Sequence, residues 1–219
     1  MVDFFIPIRR PAFLLTLGLS LILLAGGCSV KRLALRKAGD ALSQSTGGTF
    51  VSDNDPELIR DALPFSLKLM ESILAETPDH VPLLTALSKG FTSYSYAYLQ
   101  MEADYIEPEN LQQARAMRER ARNLYLRARN YGLQGLEANR PGFTNLFFSS
   151  PKLALATLKK SKEENRNLVQ WTLSPWAAAI SLSKDRPEMI ADLPYVEAMI
   201  EWMIRWEGYA ENPVLDSLM

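Results

Sequence analysis

The chain has 219 residues, 47% of them hydrophobic and 22% charged, with a formal net charge of −1. That length suits one domain, and the near-neutral charge excludes the basic footprint of a nucleic-acid binder. A single cysteine excludes an internal disulfide, and a single histidine, His80, excludes a Cys/His zinc cluster.

The N-terminus has the layout of a secretory signal over 1–27. Arg9 and Arg10 supply the positive region, Ala12 to Leu24 is almost wholly apolar, and Ala25-Gly26-Gly27 gives small residues before Cys28. The apolar run is shorter than the roughly 20 residues of a spanning helix. Leu24-Ala25-Gly26-Gly27-Cys28 looks like a bacterial lipobox, with Ala25 where such motifs usually carry leucine. The expectation is cleavage before Cys28 and lipidation of that residue with palmitate-type acyl chains. More than one chain is needed for stable anchoring. The alternative is an ordinary secretory signal with a chance cysteine. Ser29, in place of aspartate, points to the outer rather than the inner membrane, on the periplasmic side.

Residues 28–54 read as a lipid-anchored segment and linker: a basic, then apolar helix over 31–44, followed by a loop rich in turn formers to Asn54. A helical domain is expected over 55–219. Asp55-Pro56-Glu57 is a helix start, and Leu58, Ala62, Phe65, Leu69 and Ile73 recur at helical spacing. Ile59, Leu63, Met70 and Leu74 widen that stripe. Glu57, Asp61, Pro64, Lys68 and Glu71 fall on the opposite face, with a kink or restart expected at Pro64. A second helix starts at Pro78-Asp79 and carries the stripe His80, Leu84, Leu87, Phe91, Tyr94, Tyr98 and Met101, flanked by Gly90 and Ala97. Residues 102–110 read as a loop.

A long third helix is expected over about 109–137, with Ala114, Met117, Ala121, Tyr125 and Ala128 inward. A loop over 139–151 holds an exposed-looking Phe147-Phe148. A short helix follows over 152–160. The fifth helix, over 163–183, carries Leu168, Thr172, Trp176 and Ala179 in register, with Pro175 expected to kink or split it. A sixth runs from Pro187 to about Trp206. No segment alternates with period two, so the fold is expected to be all-α, built from antiparallel helix pairs.

Two segments repeat. PELIRDALPFSLKLMESIL from Pro56 and PEMIADLPYVEAMIEWMI from Pro187 align with one gap, matching Leu63-Pro64-Phe65 to Leu193-Pro194-Tyr195 and Glu71 to Glu201. Ala121, Tyr125 and Ala128 have the spacing of the second helix of a tetratricopeptide repeat. A cryptic tetratricopeptide-like helical repeat array is the expectation. Only Gly208 to Met219 follows the second copy, so the array is expected to be short of a C-terminal helix, leaving an apolar face for another partner.

Several stretches taken together resemble the T component associated with some tripartite ATP-independent periplasmic (TRAP) transporters, the TatT family. They are Asp61-Ala62-Leu63-Pro64-Phe65 with Glu71, Thr77-Pro78-Asp79-His80, Gly90-Phe91 with Tyr94, Glu102-Ala103-Asp104, Trp176-Ala177-Ala178-Ala179-Ile180-Ser181 and Asp192-Leu193-Pro194. The resemblance implies a helical lipoprotein with cryptic repeats, a homotrimer, and a periplasmic partner, the transporter's solute-binding subunit. It also implies a role in delivering small organic solutes. Family members usually continue for further helices.

No catalytic constellation is evident. His80 is alone, no serine has a histidine partner identifiable from sequence, the carboxylates are scattered, and the glycines lack a phosphate-loop pattern. The expectation is a non-enzyme without cofactor or metal. Tyr94, Tyr98, Trp171 and Trp176 either line a ligand channel between helix pairs or pack the core. Arg115, Arg118 and Arg122, with Arg129 on the same helix, either meet an anion or acidic partner or form a solvated face paired with nearby acids. The interaction-protein reading thus stands beside a carrier of a small hydrophobic molecule and a generic outer-membrane repeat scaffold.

Overall fold

The computed structural model describes residues 30–44, 52–158 and 163–206, and these are helical, with no strand among them. The signal segment, Cys28, the loop residues 45–51 and the tail 207–219 lie outside the described residues. Ten α-helices are described: α1 (30–44), α2 (Pro56–Glu76), α3 (Val81–Ser95), α4 (Met101–Ile106), α5 (Leu111–Asn139), α6 (Phe143–Ser149), α7 (Pro151–Ala156), α8 (Glu163–Ser181), α9 (Pro187–Ile190) and α10 (Leu193–Ile204). A π-helical turn, Tyr96–Gln100, joins α3 to α4.

The pairing is antiparallel. Along α3 and into the π-turn, Leu84, Phe91 and Gln100 meet Gly135, Tyr131 and Tyr125 of α5, so one number rises as the other falls. Along α5, Arg129, Gly132, Gly135 and Asn139 meet Trp176, Thr172, Leu168 and Asn165 of α8. One core lies between α2, α3 and α5; the other gathers α5 to α8 with α10.

The start of α2 is built as expected: the Asp55 carboxylate accepts from the Glu57 and Leu58 amides, and Pro56 sits at the first turn. The helix continues through Pro64 without a restart. Its buried face differs from the primary stripe. Leu63, Leu67, Met70, Ile73 and Leu74 are buried, whereas Leu58, Phe65 and Leu69 are 57%, 72% and 40% exposed. The reason is Glu71, placed outward by the sequence pattern. Its side chain is only 10% exposed. It takes hydrogen bonds from Tyr131 of α5 at 2.5 Å and Lys68 at 2.6 Å, and pairs with Arg127 of α5. That cluster turns the Glu71 side of α2 toward α5. Burial pushes the Glu71 carboxyl up, but the hydrogen bonds of Lys68 and Tyr131 and the Arg127 charge outweigh it and hold the carboxyl below its ordinary value. A depressed carboxyl contributes stability above its unfolded-state value and loses it as pH falls through the folded one. The urea midpoint is therefore expected to drop between pH 7 and about pH 3, below the ordinary range of glutamate. In Glu71→Gln that drop should be smaller; an equal drop would mean that other carboxylates carry it.

α3 starts one turn later than Pro78, with His80 as its cap: Nδ1 accepts the Leu83 amide at 3.2 Å. The expected inward stripe holds through Phe91. The π-turn then inserts a residue into the register. Leu99 and Ala103 turn inward, while Met101 ends 52% exposed, and the helix runs on to Ile106 where a loop was expected. α5 carries Ala114, Ala121, Tyr125 and Ala128 buried, as the spacing foretold, with Met117 partly so.

The expected loop after α5 contains a helix instead. Gly142, at φ 84°, turns the chain, and the Glu137 carboxylate accepts the Gly142 and Thr144 amides at 2.6 and 2.8 Å, capping α6. Phe147 is fully buried and Phe148 is 45% exposed. Helix α7 ends at Ala156, and 159–162 lie outside the described residues. α8 passes through Pro175 as one helix. Proline has no N–H to offer the Trp171 carbonyl, and the Ser88 hydroxyl of α3 donates to that carbonyl instead. The second repeat copy breaks at Ala191-Asp192 into α9 and α10, so its Leu193-Pro194 opens a helix, whereas Leu63-Pro64 lies inside one.

α1 packs on the body. Leu35 and Leu42 lie against the core of α2 and α3, and a Cβ on Gly39 would stand 3.3 Å from His80 Nε2. That nitrogen lies 3.1 Å from both the Arg36 carbonyl and Asp40 Oδ1.

Candidate functional site

A cleft of about 470 Å³ lies between α1, α3 and α8 and takes in one of the aromatic residues singled out from sequence, Trp171. Val81, Pro82, Ala86 and Trp171 make its apolar wall, and Ser43, Gln44, Thr85, Lys89, Glu164 and Asn167 its polar rim. Two of the elements give helical stripes, 82, 85, 86 and 89 from α3 and 164, 167 and 171 from α8, and α1 adds its last two residues, 43 and 44. The Lys89 ammonium stands 5.5 Å from the centroid of the Trp171 ring. The volume falls in the range of ligand clefts, while the lining is more polar than is usual for them. The arrangement suits a compact organic molecule with one apolar face on Trp171 and an acidic group on Lys89. Two further grooves, of about 300 and 510 Å³, flank α7 and α10 and share Lys152, Ala198 and Glu201.

The four aromatic residues singled out from sequence do not share one environment. Trp171 lines the cleft. Tyr94 and Tyr98 pair at 5.6 Å between centroids, and the Tyr98 hydroxyl donates to the Pro56 carbonyl at 3.0 Å, closing α2 on the π-turn. Trp176 is 1% exposed. It sits among Phe147, Phe148 and Tyr195, stacked on Tyr195 at 5.7 Å, with the Arg129 guanidinium over its ring at 4.9 Å from the centroid and Asp192 accepting from its Nε1 at 2.9 Å. That is core packing with a polar clasp.

The arginines also divide. Arg118 donates to Asp104 and Glu107, both at 2.6 Å, and ties the α4–α5 turn. Arg122 pairs with Glu119, which also takes Arg186 at 2.8 Å and so joins α5 to the turn before α9. Arg115 is exposed, and its charge helps Arg118 hold the Glu107 carboxyl below its ordinary value. Two of the three are therefore paired with neighbouring acids.

Sequence reasoning missed Lys89, Asn167 and Glu164. Their helical spacing toward Pro82 and Trp171 was the available signal, but polar residues on a stripe read as solvent-facing. It also set Asp192 apart from Trp176 and Arg129, which only the crossing of α5, α8 and the α9–α10 turn brings together. Among the described residues, no group of three His, Cys, Asp or Glu side chains is placed to hold a metal ion, and no helix is long and apolar enough to cross a membrane.

The family profile described as TRAP transporter T-component matches residues 52–215. A relative from Treponema pallidum (strain Nichols), described as an uncharacterized protein, is 29% identical over 214 residues. The match covers 90% of this chain and 65% of the relative, so the chain spans less than two thirds of that protein's length.

Proposed function

Because the chain belongs to the TRAP transporter T-component family, we propose that it is a lipid-anchored periplasmic protein that binds the transporter's solute-binding subunit and assists solute uptake. The observation that carries this reading is the family match across 52–215, which spans nearly all of the helical body. In this reading Cys28 is lipidated and holds the protein to the periplasmic side of the outer membrane. The helix pairs act as a tetratricopeptide-like scaffold, assembled as a homotrimer. The protein is an accessory of transport and does no chemistry of its own. The exposed apolar residues of α2, Leu58, Phe65 and Leu69, offer surface for a protein partner.

The cleft beside Trp171 favours a second reading, in which the protein itself carries a small organic solute. The two readings separate in one experiment. The mature, unlipidated chain is mixed with the solute-binding subunit from the same genome and examined by pull-down and native mass spectrometry. A specific complex, with three copies of this chain, is the expected result. No complex from a folded chain, together with a co-purifying small molecule, would favour the carrier. Separately, Cys28→Ala is expected to move the protein from the membrane fraction to the soluble periplasm; continued membrane retention of that variant would sink the anchor.

A further inference from the structure

We propose that α1 is a rigid strut that sets the corner between α2 and α3 against the bilayer surface and points the opposite end of the helical body away from it. The inference rests on the lipid anchor proposed above and adds an orientation to it.

The chain length between anchor and body is the first argument. Val30, the first described residue of α1, is two positions after Cys28. Two residues reach at most about 7 Å. A lipid on Cys28 therefore holds the start of α1 at the headgroup level, with no room for a flexible tether.

The docking of α1 is the second. Its N-terminal half is tied to the corner by Lys31 with Glu76 at 3.0 Å, Arg32 with Asp79 at 3.1 Å and Arg36 with Asp79 at 2.5 Å. Exposed pairs of this kind are individually weak. They act beside a buried clasp, however: His80, 3% exposed, meets the Arg36 carbonyl and Asp40, and Gly39 lets the helix lie close on the imidazole. Leu42 then meets the core near the other end. A helix held at its start, middle and end cannot swing, so what is close to Cys28 stays close to the membrane. That surface is Glu76, Pro78 and Asp79, together with Gln134, which donates to the Pro78 carbonyl.

The third argument is the character of the anchor end. Val30 and Leu33 share a face of α1 and are 66% and 60% exposed. Apolar side chains next to acyl chains enter the headgroup boundary at low cost. The nearby cations Lys31, Arg32 and Arg36 already face acids on the body, so geometry rather than a free basic patch sets the contact. From the corner, α3, the π-turn and α4 carry the chain outward by roughly 35 Å, at 1.5 Å per residue. Tyr105 lies at that far end and is 83% exposed.

The test uses the full lipidated chain in vesicles of phosphatidylethanolamine and phosphatidylglycerol doped with a headgroup-attached quencher. Cys28 is consumed by the lipid, so a thiol-reactive fluorophore labels only an introduced cysteine, at Pro78→Cys or at Tyr105→Cys. Flotation with the vesicles is scored first. The expected result is strong loss of fluorescence at position 78 and none at 105. Inserting ten Gly/Ser residues between Ser29 and Val30 adds a flexible tether of roughly 18 Å and leaves the body untouched. Quenching at 78 is then expected to fall to the level at 105. Equal quenching at the two positions in the parent chain, with the protein floating, would overturn the strut while leaving the anchor intact. Failure to float would overturn both.

Discussion

Trp176→Ala is expected to cost about 3–5 kcal/mol, the range for removing a buried aromatic side chain. That is a large part of the 5–15 kcal/mol that holds a typical domain together. Trp176 is the largest fully buried side chain among the described residues, and it fills the space between α5, α6, α8 and α10. It stacks on Tyr195, meets Phe147 and Phe148, and carries the Arg129 guanidinium over its ring. Its loss leaves a void lined by aromatic rings that α5 and α8, pinned elsewhere along their length, cannot close. It also removes one donor from Asp192, which keeps only Arg129 at 3.4 Å. Burial holds the Arg129 guanidinium below its ordinary value against the pull of Asp192. Water entering the void would rehydrate both charges and offset part of the loss. Trp176→Phe separates the two contributions, since it keeps most of the ring packing and removes the N–H. Urea denaturation should place it between the parent and the alanine variant. If Trp176→Ala unfolds at the parent midpoint, the aromatic cluster is not what joins the C-terminal helices to α5.

The second large effect is expected at Gly132→Ala. Elsewhere in a helix this change stabilises by about 1 kcal/mol, because glycine is a poor helix former. Here a Cβ would stand 2.2 Å from Thr172 Oγ1 and 2.9 Å from Thr172 Cα. A side chain could turn aside, but the Thr172 hydroxyl is held by the Leu168 carbonyl at 2.6 Å, and a backbone atom has no rotamer. α5 and α8 must separate, and overpacking of this kind costs about 1–3 kcal/mol and sometimes more. Strain wins over propensity. Gly135→Ala is the matched control: its Cβ would meet Leu168 Cδ2 at 2.5 Å, the mobile end of a side chain. Thermal melts should rank the parent and Gly135→Ala together and Gly132→Ala well below. The reverse ranking would mean that α5 and α8 are held apart at this crossing.

How much of this was legible beforehand depends on whether a feature is local. Helix existence is written in spacing and caps. Asp55-Pro56-Glu57, the inward row Ala114, Ala121, Tyr125 and Ala128, and the row Leu168, Thr172, Trp176 and Ala179 all stand where the sequence placed them. Those signals depend on three or four neighbouring residues and need no distant contact. The family resemblance was legible for a related reason, since it rests on the order of short stretches and needs no contact to be known.

Choices between faces were not legible. α2 carries two adjoining apolar stripes, and its sequence does not say which one α3 and α5 will cover. The pairing of Glu71 with Arg127 and Tyr131, some 60 positions away, decides it. The inward face beyond Phe91 depended on a π-turn that no periodicity announces. The candidate cleft required α1, α3 and α8 to meet, which sets Trp171 beside Lys89, while the same packing buries Trp176.

The sequence by itself determined the all-helical class, the starts of α2, α8 and α9 and the family, because each is carried by covalent neighbours or by residue order. Only the tertiary structure decided which apolar face is buried, that Pro175 is tolerated because Ser88 satisfies the Trp171 carbonyl, and that α1 is clasped to the body through His80. Those outcomes depend on groups far apart in the chain, whose meeting is set by packing.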